Sequence, residues 1–226
     1  MKSVRFLPAI LLLISFSKLS AQNKFGMEAG VLRSKVEITG DTKLNSKPKT
    51  GYKMGIFAEF PIKQNIYFNP ALSYVNKGGE FDNTWMFLGT VRNSKGHVTT
   101  SFIELPLNVL YKLNSKKITW LAGTGVVMGY GITGEEKFEL TEFNNNGTST
   151  KSSAAVDIKF DGKKDAYDSK MHLKPFEIGM NVFIGADVCN RIRAQFQFRP
   201  NFSDLAVDNS SYKNTYYYCL MVGFFF

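Results

Sequence analysis

The chain has 226 residues, 44% of them hydrophobic and 14% aromatic, with 28 basic against 19 acidic side chains for a formal charge of +9. A mean hydropathy of −0.14 excludes a polytopic helical membrane protein, whose spans each need about 20 apolar residues. The 20 Phe, 10 Tyr and 2 Trp exclude a disordered chain, and the length suits one domain with a sizeable core.

Residues 1–21 have the layout of a secretory signal. Lys2 and Arg5 form a basic start, Phe6 to Phe16 an apolar stretch, and Leu19-Ser20-Ala21 a small-residue site, so cleavage is expected between Ala21 and Gln22. The apolar stretch is too short to span a bilayer as a helix. Loss of Lys2, Arg5 and Lys18 brings the formal charge to about +6. The residue after the cut is Gln22 rather than Cys, so no lipid anchor is expected on it. Residues 22–226 are expected to form one barrel domain.

Eight segments of that domain alternate apolar and other residues with a period of two, which marks strands and excludes helices. Phe25–Glu37 comes first, with Arg33 and Lys35 on its apolar parity near the end, placed beyond the apolar band. Gly51–Ile62 sets Tyr52, Met54, Ile56, Ala58, Phe60 and Ile62 against Lys53 and Glu59. Ile66–Lys77 follows. Ser101–Leu113 sets Ile103, Leu105, Leu107, Val109, Tyr111 and Leu113 against Glu104, Asn108 and Lys112. Ile118–Ile132 alternates Trp120, Ala122, Val126, Met128 and Tyr130 with glycines. In Phe176–Val188 the even positions from Phe176 to Val188 are apolar and Glu177 and Asp187 lie opposite. Ile192–Phe202 opposes Ile192, Ala194, Phe196, Phe198 and Phe202 to Arg193, Gln195, Gln197 and Arg199. Thr215–Phe226 closes the chain with Tyr216, Tyr218, Leu220, Val222, Phe224 and Phe226 in one parity.

The connections, roughly 13, 3, 22, 4, 43, 3 and 12 residues in order, alternate long and short. An up-and-down antiparallel barrel produces this sorting, with all short turns at one end and both termini there. The expected fold is all-β, an eight-stranded antiparallel up-and-down transmembrane β-barrel. The strands are long enough to cross a hydrocarbon layer, which takes about 9–11 residues. Aromatics near strand ends (Tyr52, Phe60, Tyr74, Tyr111, Trp120, Tyr130, Phe226) fit interfacial girdles. The opposite face is too rich in glycine for a water-facing wall. Its charges, Glu28, Glu59, Glu104, Glu177 and Asp187 against Lys53, Lys112, Arg193 and Arg199, fit a lumen that an eight-stranded barrel fills with side chains. A soluble lipocalin-like binding barrel is the structural rival. Pro70 and Pro106 imply bulges or gaps in the ladder.

Several stretches resemble the small outer-membrane β-barrel domain common in Bacteroidetes, related to PorT and grouped with OmpA-like and porin-like barrels. These are Phe25-Gly26-Met27-Glu28-Ala29-Gly30, Gly55-Ile56-Phe57-Ala58-Glu59-Phe60-Pro61, Asn69-Pro70-Ala71-Leu72-Ser73-Tyr74, Phe102 to Tyr111 with its Glu-Leu-Pro-Leu run, Ala122-Gly123-Thr124-Gly125 and Val222-Gly223-Phe224-Phe225-Phe226. The resemblance implies a place in the cell outer membrane, with short periplasmic turns and long extracellular loops. It also implies that prolines at positions like Pro70 and Pro106 are tolerated. Tyr218, Leu220, Val222, Phe224 and Phe226 resemble the C-terminal signal read by the barrel-insertion machinery, and serve equally as a lipid-facing last strand.

Motifs for catalysis are missing. The two histidines, His97 and His172, fall in expected long loops, and no HExxH, GxSxG or phosphate loop is present. Asp157, Asp161, Asp165 and Asp168 lack calcium-loop spacing and are interleaved with lysines. Lys137–Phe143 and Ala154–Phe160 pattern as a projecting hairpin around Asn144-Asn145-Asn146-Gly147. Cys189 and Cys219 fall in a short turn and the last strand, too far apart to bridge. No cofactor or metal and no nucleic-acid partner is expected, the charge being scattered. The expected partners are outer membrane lipids, the insertion machinery, and an envelope or extracellular protein engaging loops 78–99 and 133–175. The expected function is a non-enzymatic structural or interaction barrel with a plugged lumen; the alternatives are a narrow porin-like channel and a PorT-like component of a protein secretion apparatus.

Overall fold

Each of the eight alternating segments forms a strand in the computed structural model, which describes residues 23–39, 46–87, 90–115, 118–143, 148–163, 169–189, 191–207 and 211–226. The expected signal, with its cut between Ala21 and Gln22, the turn at 144–147, and Asp165 and Asp168 lie outside the described residues. The strands are β1 Lys24–Thr39, β2 Ser46–Lys63, β3 Ile66–Phe87, β4 Thr90–Asn114, β5 Ile118–Phe143, β6 Ser149–Lys159, β7 Met171–His172, β8 Phe176–Val188, β9 Ile192–Pro200 and β10 Ser211–Phe225. Eight of them close a ring: β1 to β5 pair in sequence, β5 pairs with β8, then β9 and β10 follow, and β10 returns to β1. Every contact in the ring is antiparallel. Closure removes the free edges that an open sheet would present.

The short connections, β2 to β3, β4 to β5 and β8 to β9, lie at one end of the ring together with the first residues of β1 and the last of β10. There the Phe226 N–H donates to the Phe25 carbonyl at 2.9 Å and the Phe225 N–H to Arg191 at 2.9 Å. Cys189 occupies one of these turns at φ +52°, a left-handed position that non-glycine residues seldom adopt. Cys189 and Cys219 are free thiols, Cys189 exposed and Cys219 buried.

The wall is apolar outward. Ile56, Val31, Trp120, Ile178, Ile184, Leu220 and Val222 are all more than half exposed, and the larger side chains of the other parity, such as Leu32, Phe57, Leu121, Phe183 and Met221, are buried. A soluble lipocalin-like barrel has the reverse polarity, with polar residues outside, so that rival fails. The rings expected at strand ends do lie on this wall: Tyr52, Tyr111, Trp120, Tyr130 and Phe226 are exposed, Phe60 and Tyr74 half-buried.

Pro70 and Pro106 stay in register, without bulges, and leave gaps instead. The β3–β4 ladder skips from Pro70↔Leu107 to Ser73↔Glu104, and the β2–β3 ladder from Phe57↔Ala71 to Phe60↔Phe68. Opposite Pro70, which has no N–H to give, the Ala58 carbonyl accepts instead from the Asn69 side-chain amide at 2.8 Å. The bulge in this region falls elsewhere, between Ser101 and Phe102 on the β4–β5 ladder.

The connections expected as loops at 78–99 and 133–175 are largely strand. β3 and β4 pair without interruption up to Phe87↔Thr90, and β4 pairs with β5 up to Val91↔Phe143. The expected hairpin forms as β5 and β6, in register from Gly134↔Ile158 to Phe143↔Ser149. Alternation of apolar residues fails above the lipid, where both strand faces meet polar surroundings, so the extensions escape a reading based on that pattern.

Candidate functional site

The inward parity of the strands fills the lumen with ionic clusters. At the short-turn end, Lys112 Nζ lies 2.5 Å from Glu59 Oε2 and 2.9 Å from Asp187 Oδ2. Arg193 bonds Glu59 at 2.5 Å and grips Asp187 with Nε and Nη2 at 2.7 and 2.9 Å, the two-pronged geometry that guanidinium and carboxylate favour. Midway, Lys53 lies 3.9 Å from Glu28 and donates to Gln197 Oε1 at 2.9 Å, while Gln195 donates to Glu28 at 2.8 Å. Toward the long-connection end, Lys77 and Arg199 each bridge Glu104 and Glu177. Tyr217 donates to Glu104 at 2.9 Å and Asn214 to Glu177 at 3.0 Å.

All nine charged residues expected in the lumen, Glu28, Lys53, Glu59, Glu104, Lys112, Glu177, Asp187, Arg193 and Arg199, are buried there, none more than 7% exposed. That set has one acid too many. The missing cation is Lys77, 1% exposed, with its ammonium 4.2 Å from the Phe102 ring centroid. With Lys77 each cluster is neutral, as burial of charge requires. Its parity on β3, shared with Asn69, Ser73 and Val75, was the signal that identifies it.

Glycines make room for these side chains. A Cβ on Gly129 would come 2.7 Å from Glu177 Cγ, and one on Gly123 2.3 Å from the Phe183 ring, so the glycines of β5 accommodate the bulk that β8 sends inward.

Above the upper cluster the barrel mouth is capped by apolar side chains. Val36, Phe81, Val98, Phe102, Ile158, Phe160, Leu173, Leu205, Ala206 and Tyr212 pack as one cluster. Four come from outside the strands, Phe160, Leu173, Leu205 and Ala206, and the last three are held by main-chain bonds: Leu173 bridges to Ala206, Lys174 donates to the Leu205 carbonyl at 2.8 Å, and Leu205 to the Tyr212 carbonyl at 2.8 Å. Asp204 pins this loop, accepting from Ser211 Oγ at 2.7 Å, Tyr212 N at 3.0 Å and Ala206 N at 3.1 Å. Burial opposes its ionisation, and these donors outweigh it, holding the carboxyl below its usual range. No sequence period marks these loop residues, which reach the lumen only through the chain's path.

The remaining residues singled out in the sequence are scattered. Tyr218, Leu220, Val222 and Phe224 on the last strand and Phe226 just after it all lie on the outer side, 44 to 74% exposed. His97 lies on the β4 extension opposite Glu80 and Lys137; burial first, then Lys49 and Lys137, push its pKa down. His172 Nδ1 meets Asp161 Oδ1 at 2.8 Å, and Asp157 pairs with Lys170 at 3.1 Å. Among the described residues no group of three or more His, Cys, Asp or Glu is placed to hold a metal ion.

A crevice of about 580 Å³ lies among the extensions, lined by Lys47, Glu80, Asp82, Lys95, His97 and Lys137 together with apolar and small residues.

Among solved structures, the chain is similar to Ail, the attachment invasion locus protein of Yersinia pestis, seen with the heparin analogue sucrose octasulfate. Identity is 13% over 91% of this chain and 100% of that chain, with a TM-score of 0.37. Neisserial surface protein A gives 12% identity over 89% and 95% of the two chains, with a TM-score of 0.38. The N-terminal β-barrel domain of Pseudomonas aeruginosa OprF gives 11% over 88% and 97%, with a TM-score of 0.26. No curated protein matches the chain. The outer membrane protein β-barrel domain family matches residues 20–207. With that match covering most of a closed ring of eight strands, apolar outside and ion-paired within, the chain belongs to the outer membrane protein β-barrel domain family and resides in the outer membrane.

Proposed function

We propose that this barrel is a non-enzymatic structural or interaction protein with a plugged lumen, which engages an envelope or extracellular protein through the strand extensions at 78–99 and 133–175. The stack of neutral ionic clusters beneath an apolar cap carries this reading. A conducting ion would have to displace paired charges such as Arg199 between Glu104 and Glu177, at a desolvation cost of several kcal/mol per ion. Planar bilayer recording distinguishes plug from pore: silence is expected, and steady unitary conductance supports the narrow porin-like alternative instead.

Residues 1–21 serve in this reading as an export signal cut before Gln22, and Tyr218 to Phe226 as the segment read by the insertion machinery. The Glu104-Leu105-Pro106-Leu107 run supports membership of the PorT-like barrels of Bacteroidetes and, with it, a role in a secretion apparatus as the second reading. Deletion followed by comparison of secreted proteins separates the two, since a plain interaction barrel leaves secretion unchanged.

A further inference from the structure

One sector of the outer wall groups three cations beside a set of aromatic rings. On β1 the outward row begins with Phe25, Met27 and Val31, each more than half exposed, and turns basic at Arg33 and Lys35. Across the ladder on β10, Arg33 stands opposite Tyr218 and Lys35 opposite Tyr216. The next outward cation on β10 is Lys213, between the inward Tyr212 and Asn214. Tyr216 and Tyr218 join Phe196 and Phe198 of β9 in an aromatic stack, with ring centroids 5.0 Å apart for Phe198 and Tyr218, 5.3 Å for Tyr216 and Tyr218, and 6.0 Å for Phe196 and Tyr218.

On β2, β3 and β9 the outward residue that follows the apolar row is uncharged, Thr50, Asn76 and Pro200 in turn, while beside β8 a single lysine, Lys174, follows Phe176. The β3–β4 sector is also satisfied within itself, Ser101 Oγ bonding Tyr74 at 2.8 Å and Asn76 at 3.2 Å. The cations of β1 and β10 are less engaged. Arg33 makes one long bond, 3.4 Å, to the Pro48 carbonyl, and Lys213 lies 4.0 Å from Asp204. Lys35 has no ion pair among the described residues. Glu37, opposite Lys213, is the carboxylate on the same row.

We propose that this sector is a lateral binding site for a phosphate-bearing lipid headgroup of the outer leaflet. Arg33 and Lys35 hold the phosphate, Lys213 adds a third positive charge, and the Phe196, Phe198, Tyr216 and Tyr218 rings bed the acyl chains. The guanidinium fork suits a phosphate in two-pronged contact, and cations bordering an apolar wall lie at headgroup depth. The occupant is a lipid rather than a soluble anion because the cations are continuous with the membrane-facing aromatic stack. The long-connection end, where they lie, is the extracellular one.

The test is native mass spectrometry of the full barrel released from nanodiscs holding equal amounts of dioleoyl phosphatidate and dioleoylglycerol, with folding checked by heat-modifiable gel mobility. The wild-type protein is expected to retain phosphatidate in preference, and Arg33→Gln, Lys35→Gln and Lys213→Gln each to lower that preference about fivefold. A charge-matched triple variant on the extensions, Lys47→Gln/Lys95→Gln/Lys137→Gln, is expected to leave it unchanged. Equal retention of the two lipids by the wild type, or equal loss in the two sets of variants, overturns the site. Complete displacement of phosphatidate by millimolar inorganic phosphate overturns the lipid assignment in favour of a free anion. Should Arg33→Gln or Lys213→Gln not fold, Lys35→Gln alone, which breaks no ion pair among the described residues, is read by the same criterion.

Discussion

Replacing Lys77 by methionine removes one of two cations from the cluster that holds Glu104 and Glu177, keeping most of the side chain's volume. The ammonium sits 3.1 Å from Glu104 Oε1 and contacts Glu177 directly, at 1% exposure. At that distance one pair is worth about 5 kcal/mol for an effective dielectric of about 20. Arg199, left alone between two carboxylates, recovers part of this, so the net loss expected is about 3–5 kcal/mol, the range for stranding one partner of a buried pair. The assay is the urea midpoint of the heat-modifiable gel shift in detergent. The double variant Lys77→Met/Glu177→Gln restores neutrality and is expected to regain at least half of the lost stability. A single variant within about 0.5 kcal/mol of wild type, or a double variant no better than the single, refutes the reasoning that charge balance holds the lumen together.

A Cβ on Gly123 collides with the Phe183 ring, so Gly123→Ala is expected to cost about 1–3 kcal/mol as overpacking, read by the same gel shift. Asp204→Ala frees the capping loop, and proteolysis at 203–211 should then run faster with the barrel intact. Because the Asp204 carboxyl titrates below its usual value in the folded state, its share of loop stability is present above about pH 4 and fades as pH falls through the folded pKa; hydrogen exchange of the Tyr212 amide follows this loss. His97 has linkage of the same sign in a higher pH window, because burial there disfavours the charged form. Its pKa is depressed on folding, so the unfolded state takes up the proton first, and the extensions lose stability as pH drops below about 6.5 toward the folded value. Hydrogen exchange of β3 and β4 between pH 7.5 and 5.5 should show this slope, and His97→Gln should flatten it. Amino-terminal sequencing of the protein recovered from outer membranes is expected to begin at Gln22.

Period-two alternation gave the eight strands and which residues share a face, because a pleated strand sends successive side chains to opposite sides, and the glycine-rich, charge-balanced parity marked the inner one, since a lipid bath tolerates only apolar groups. The alternating lengths of the connections gave the up-and-down order in the ring and sorted the short connections to one end. Pro106 and Pro70 were readable as sites of bulges or gaps in the ladder, and only the structure decides for gaps, with the Asn69 amide bonding the carbonyl opposite Pro70.

Facing inward is a property of one strand, whereas partnership belongs to the closed ring. Glu59 finds Lys112 53 residues away and Arg193 134 residues away because closure and register bring β2, β4 and β9 to one level of the lumen. Lys77 shows the same limit, since its parity was legible and its place between Glu104 and Glu177 was not. The cap made by Leu173, Leu205 and Ala206 has no period to announce it, and only the folded path of the long connections sends those side chains into the mouth. The amino-acid sequence by itself thus determined which side of the wall each residue occupies, through the hydrophobic effect acting on a two-residue repeat. Which charges neutralise one another, and how the lumen is closed, was decided by the tertiary structure, because those contacts join residues that only strand register and ring closure bring within hydrogen-bonding distance.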